Sequence, residues 1–177
     1  MRMLIRRTAV PCVLLLLTAA TIFAQGGLRI STLTYNNRVV VSFELNDAYD
    51  EAVRDAIASG LRTSFTYTLE LRTPAWIDRT IGTTIVTTTD QYDNLTRRHT
   101  LSRAIDGRVT EVVLTDNESL VREWLTTLKR VPIYQTSRLD ASHDYFVRIR
   151  ARRRPSGTSL FGLASTITGQ ARFTFIP

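Results

Sequence analysis

Four large apolar side chains, Phe65, Tyr67, Leu69 and Leu71, alternate without interruption with Thr66, Thr68, Glu70 and Arg72. Successive strand residues point to opposite faces, so this period of two commits the segment to a strand buried on one side and wet on the other. Such a strand needs a second apolar layer, and the residues just before it offer one. Tyr49, Ala52, Val53, Ala56, Ile57 and Leu61 recur at three-and-four spacing, whereas Glu51, Arg54, Asp55 and Ser59 fall on the opposite side, as on an amphipathic helix. Asn46 or Asp47 is expected to cap its start, with Asp50 and Glu51 complementing the positive end of its dipole. Gly60 is expected to end it in the left-handed conformation. Helix stripe and strand face then share a core. Burying each large apolar side chain is worth about 1.5–3 kcal/mol, so a charge at Val53, Ile57, Tyr67 or Leu69 should harm the fold more than one at Thr66 or Arg54.

The same two periodicities organise the remainder. Leu28 to Tyr35 and Arg38 to Leu45 form two strands across Asn36 and Asn37, residues that tolerate the positive φ of a tight turn. Pro74 and Trp76 mark a bend, with the indole expected to plug an edge of the core. Arg79 to Thr89, Leu95 to Ile105 and Val109 to Leu114 read as a meander, turning at Asp93-Asn94 and at Asp106-Gly107. Thr115 and Glu118 match a capping box, and Leu120, Val121, Trp124, Leu125 and Leu128 predict a second helix running to about Arg130, stopped by Pro132. Strands from about His143 to Arg153 and from about Gly169 to Phe175 follow, separated by a Pro155 to Gly157 break and a less regular segment from Thr158 to Ile167. The expected fold class is α+β: a twisted antiparallel sheet of about eight strands, in one or two layers, covered by two helices.

The first residues read differently. Arg2, Arg6 and Arg7 precede an uncharged apolar run from Ala9 to Phe23, and Ala24 is a small residue followed by Gln25 and two glycines. This is the pattern of a secretory signal peptide, so residues 1–24 are expected to be removed and residues 25–177 to form one domain. The alternative is an uncleaved anchor, but the run is shorter than the roughly 20 residues of a spanning helix and carries Pro11. Cys12 has Pro11 directly before it, which does not suit a lipid-attachment site. Of the 23 basic residues in the chain, three lie in this segment with no acid, so the formal charge of +7 falls to +4, 20 basic against 16 acidic residues. Cys12 is the one cysteine of the chain, and its removal would leave no disulfide and no thiol chemistry.

In the strand from His143, Tyr145, Val147, Ile149 and Ala151 face one way, and Phe146, Arg148, Arg150, Arg152 and Arg154 the other. In the last strand, Ala171, Phe173 and Phe175 face in, and Gln170, Arg172 and Thr174 face out. Pairing of the two would gather the arginines on one surface. Together with the helix and strand of Asp50 to Arg72, the run Trp76-Ile77-Asp78-Arg79, the run Tyr92-Asp93-Asn94-Leu95-Thr96 and Tyr145, this strand resembles the bacterial family called domain of unknown function 4390, over roughly Val39 to Phe175. That resemblance implies a secreted or membrane-associated protein without an assigned activity. The frequent placement of family genes beside a two-component sensor kinase implies a link to envelope signalling, for which an anchored accessory is the corresponding alternative. Pro155 to Ile167 departs from the tryptophan-containing C-terminal pattern of the family.

Little catalytic chemistry is encoded. His99 and His143 are the only side chains that titrate near neutrality when unperturbed. There is no HExxH zinc motif, no phosphate loop, no dinucleotide fingerprint and no nucleophile elbow. The enzyme candidate, a small hydrolase or metal-dependent activity, would use His143 with Asp140 and Asp144, two carboxylates able to ligate a metal or orient an imidazole base. As ordinary turn residues they make instead a polar turn before Tyr145, which is the preferred reading. His99 is expected to be a partly exposed strand residue. Neither metal nor cofactor is expected. The binding candidates are Arg148, Arg150, Arg152 and Arg172, whose guanidinium forks suit lipid headgroups, cell-wall polymers or an acidic protein partner; strand alternation would also produce such a row on a merely solvated face. The expectation is an exported, periplasmic or envelope-associated binding module, without nucleic-acid binding and inserted in a membrane only if the N-terminal segment is retained.

Overall fold

In the computed structural model, which describes residues 22–23, 27–155 and 166–175, Asn36 and Asn37 take φ of 48° and 56° and close a hairpin. Its strands are β2 (Leu28–Tyr35) and β3 (Arg38–Leu45), and a two-residue β1 (Ile22–Phe23) pairs with β2. Helix α1 (Glu51–Ala58) is capped by Asp50, not by Asn46 or Asp47: the Val53 N–H donates to its carboxylate at 2.9 Å. Gly60, at φ 78°, releases the chain into β4 (Thr63–Thr73). The meander then runs through β5 (Arg79–Asp93), β6 (Arg98–Ile105) and β7 (Arg108–Thr115). Asp106 and Gly107, at φ 48° and 81°, turn β6 into β7.

Helix α2 (Glu118–Thr126) corrects the sequence reading at both ends. Its cap is Asn117, whose side-chain oxygen accepts from the Ser119 and Leu120 N–H groups at 2.9 and 3.3 Å, while Thr115 accepts only from the Asn117 N–H. The helix ends four residues early. β8 (Thr127–Gln135) continues directly from it and pairs with β3. Leu128 matches the helical spacing yet is buried from a strand, because β3 needs a partner on its free side and the β-branched pair Thr126-Thr127 favours extension. Pro132 sits within β8, tolerated because β8 is an edge strand. After a short 3-10 turn, β9 (Tyr145–Pro155) and β10 (Thr166–Phe173) pair antiparallel.

The strands form two antiparallel sheets, ordered β1-β2-β3-β8 and β10-β9-β4-β5-β6-β7. The expectation of antiparallel sheet with two helices holds, but the described residues form ten strands in two sheets in place of a sheet of about eight. The sheets enclose one core. Phe43 of β3 meets Tyr67 of β4 edge to face at 4.9 Å, and Leu28, Val41, Leu69, Ile149 and Leu125 are all buried with them. The Tyr67 hydroxyl and the Thr88 hydroxyl both donate to the Leu125 carbonyl, tying β4 and β5 to the end of α2. Burial pushes the Tyr67 phenol above its ordinary pKa. The sheets also meet side by side: a Cβ at Gly82 of β5 would lie 2.7 Å from the Tyr134 ring of β8, and the Thr84 hydroxyl donates to the Pro132 carbonyl at 3.2 Å.

Trp76 does not plug the core. It stands at the tip of the β4–β5 hairpin, fully exposed, beside Ile77 at 80 % exposure. The Pro74–Asp78 segment only bridges Thr73 to Arg79, which pair across it, and five residues closing a hairpin leave nothing above them to pack on. The expected signal segment lies outside the described residues except for Ile22–Phe23, as do residues 156–165 between β9 and β10. No helix among the described residues is long and apolar enough to cross a membrane.

Candidate functional site

Alternation along β9 places Phe146, Arg148, Arg150 and Arg152 on the outer face of the six-stranded sheet, opposite the buried row Tyr145, Val147, Ile149 and Ala151. β9 lies between β4 and β10, so its neighbours decide what each arginine meets. Arg148 stands opposite Glu70 on one side and Gln170 on the other, and Phe146 stands between Arg72 and Arg172. The four arginines named from the sequence therefore share one face.

Two of them are engaged within the chain. Arg150 reaches diagonally to Glu70, Nη2 to Oε1 at 2.6 Å, and Arg148 reaches Asp78 at 3.5 Å. With its amide turned to satisfy both groups, Gln170 also accepts from the Nε and Nη2 of Arg148 at 3.1 and 3.2 Å. Arg72 adds a 3.8 Å contact to Glu70 and donates to the Asp78 carbonyl at 2.7 Å. The guanidinium groups of Arg72 and Arg148 flank the Phe146 ring at 5.8 and 5.9 Å. Glu70 keeps only 12 % of its side chain exposed, so these guanidinium groups first serve a desolvated carboxylate of the same molecule.

Arg152 and Arg172 are different. Both are exposed, and neither forms an ion pair among the described residues. They sit at opposite ends of the β9–β10 ladder, opposite Thr166 and Phe146 respectively, which at about 3.3 Å per residue puts them roughly 20 Å apart. Five arginines, Arg72, Arg148, Arg150, Arg152 and Arg172, thus stand against Glu70 and Asp78 on this face. At the Arg172 end a cleft of about 650 Å³ opens between the hairpin tip and β10, lined by Pro74, Asp78, Asp144, Phe146, Gln170 and Arg172 among others.

The residues Asp140, His143 and Asp144 are placed by a tight turn. Asp140 accepts from the Ser142 N–H and hydroxyl at 2.9 and 2.7 Å, and its carboxylate lies 3.2 Å from His143 Nδ1. The Ser142 hydrogen bonds hold the Asp140 carboxyl below its ordinary pKa. Both side chains are about 60 % exposed. Asp144 takes no part in this contact and lines the cleft instead. No group of three or more His, Cys, Asp or Glu placed to hold a metal ion is found among the described residues.

The strongest buried polar pair is one the sequence reading missed. His99 is 8 % exposed rather than a half-open strand residue, and its Nδ1 lies 3.0 and 3.2 Å from the two oxygens of the fully buried Asp90. The Tyr92 ring packs on the imidazole at 4.6 Å. Burial raises the Asp90 carboxyl above its ordinary value, opposed by the hydrogen bond from His99. Burial, with Glu118 and Asp90 nearby, pushes the Tyr49 hydroxyl up to about 12. A signal was available: Val86, Thr88 and Asp90 lie on one alternating row, and the turn after Asp93 pairs Tyr92 with His99, bringing the imidazole diagonally beside Asp90. This arrangement fixes the imidazole by one nitrogen.

Comparison with known proteins adds a family. The model described as Domain of unknown function (DUF4390) matches residues 29–160. Searches of the curated proteins and of the solved structures return no significant match.

Proposed function

The chain belongs to the DUF4390 family, and from that premise we propose that it is an exported, non-enzymatic envelope module that recognises an anionic partner through the outer face of β4, β9 and β10. The observation that carries this reading is the pair Arg152 and Arg172, exposed and without an ion pair among the described residues. Arg148 and Arg150 act differently from the two free arginines. Held by Asp78 and Glu70, they stiffen the face with their charges balanced, while Arg152 and Arg172 carry the unbalanced charge available to a new carboxylate or phosphate. Export is supported by the basic, apolar and small-residue succession from Arg2 to Ala24.

Reversal of the two free cations tests this without disturbing the internal ion pairs. Arg152→Glu combined with Arg172→Glu should lower salt-sensitive association with envelope fractions at least roughly tenfold, since a basic residue near an anionic surface is worth about 1 kcal/mol. Circular dichroism should be unchanged. Association that survives the double reversal at low salt would refute the reading.

A further inference from the structure

The exposed hairpin tip and the arginine face border the same cleft, through Pro74, Asp78 and Arg172. We infer that Trp76 and Ile77 insert into the interfacial region of an anionic lipid bilayer while Arg172 and its neighbours bind the headgroups. This rests on the anionic-partner reading above and names the partner as a lipid surface.

Three observations converge on it. Trp76 and Ile77 are adjacent, 101 % and 80 % exposed, and project from a five-residue turn between Thr73 and Arg79. An indole is amphipathic and settles at the headgroup level of a bilayer, where its ring is buried and its N–H remains wet. The tip is a short turn projecting beyond the paired strand ends at Thr73 and Arg79, and lipid accepts such a projection without a matching shape. Finally, the tip is bracketed by cations. Arg72, Arg79, Arg148 and Arg172 stand near it against Asp78 and Asp144, and Asp78 is already held by Arg148 and, through its carbonyl, by Arg72. Apolar insertion and headgroup attraction therefore act on the same end of the sheet. They reinforce each other because neither alone makes a durable anchor, as with single lipid chains and polybasic patches.

Fluorescence isolates this contact from any other means of reaching a membrane, including the N-terminal apolar segment. The chain has two tryptophans, and Trp124 is 6 % exposed, so iodide-quenchable emission belongs to Trp76. Adding phosphatidylglycerol–phosphatidylethanolamine vesicles to the purified protein should shift that emission to the blue and protect it from iodide, and brominated acyl chains should quench it. Phosphatidylcholine vesicles should do neither. Trp76→Ala should weaken vesicle binding roughly tenfold, and Arg172→Glu should abolish the blue shift at moderate salt. Vesicle-bound protein whose Trp76 stays open to iodide overturns the inference. So does protection of Trp76 by lipid-depleted envelope extract but not by vesicles, an outcome that leaves the anionic-partner reading standing with a protein in place of lipid. Loss of that broader reading is seen separately, as envelope association indifferent to the Arg152 and Arg172 reversals.

Discussion

Asp90 and His99 meet at 3.0 Å in the interior, and Asp140 and His143 meet at 3.2 Å in an exposed turn. The chemical groups and the distances nearly coincide, yet the surroundings oppose each other. Asp90 is raised by burial, whereas Asp140 is lowered by the hydrogen bonds of Ser142. An ion pair in water gains little, since solvent screens the attraction and already solvates both partners. In the interior each group has surrendered its water, so removing one strands the other. The location of a carboxylate–imidazole pair, far more than its length, therefore sets what it does for the molecule.

His99→Ala carries the largest expected effect. It leaves the Asp90 carboxylate fully buried without its imidazole, and the loss should be about 3–5 kcal/mol at neutral pH, read as a lowered urea midpoint with unchanged slope. A loss below about 1 kcal/mol would show that water reaches Asp90 and that the contrast with Asp140 is false. Asp90→Asn comes next, at about 1–2 kcal/mol, because an amide can still accept from the ring. Its pH dependence has a fixed sign. A carboxyl raised in the folded state contributes most below its unfolded value of 3.8 and loses that contribution as pH climbs through the raised folded value. The stability advantage of the wild type over Asp90→Asn should therefore shrink across that window as pH rises.

An intermediate case grades the scale. Glu70 is 12 % exposed but its partner Arg150 is 46 % exposed, so Glu70→Ala should cost on the order of 1 kcal/mol after allowing for screening. A larger loss would place the outer face with the core rather than with the surface.

The same contrast explains what could be read from the sequence. Rows such as Phe65 to Leu71, and the turns at Asn36-Asn37 and Asp106-Gly107, are local: period and positive φ are properties of neighbouring residues, and the structure bears them out. Arg172 joins the arginine face only through the pairing of β10 with β9, but the common face of Arg148, Arg150 and Arg152 was legible for the same reason. Their partners were not, because Glu70 meets Arg150 only once β9 lies beside β4, and strand order leaves no local trace. β8 was hidden since Leu120 to Leu128 fits a helix equally well, and pairing with β3 decides the matter. The burial of His99 depends on its diagonal neighbour Asp90 across the β5–β6 pair, which its own strand does not reveal. Trp76 departs from the preference of a large aromatic for the core because a hairpin tip offers it none.

The smallest expected effect is the most informative about the outer pair. Asp140→Ala and His143→Ala, singly or together, should lower the urea midpoint at neutral pH only slightly, since both side chains are about 60 % exposed and water largely replaces whichever is removed. Acid titration sharpens this. A carboxyl lowered in the folded state contributes stability above its unfolded value of 3.8 and loses it as pH falls through the lowered folded value, the opposite sense to Asp90. Asp140→Asn should therefore flatten a shallow decline on the acid side that Asp90→Asn leaves in place. If Asp140→Ala instead destabilised the protein as much as Asp90→Asn, the Asp140–Ser142 turn would be holding the start of β9, through the hydrogen bond that Tyr145 donates to the Asp140 carbonyl at 3.1 Å. Tyr145→Phe separates the two explanations, because it removes that bond and leaves the carboxylate–imidazole contact intact.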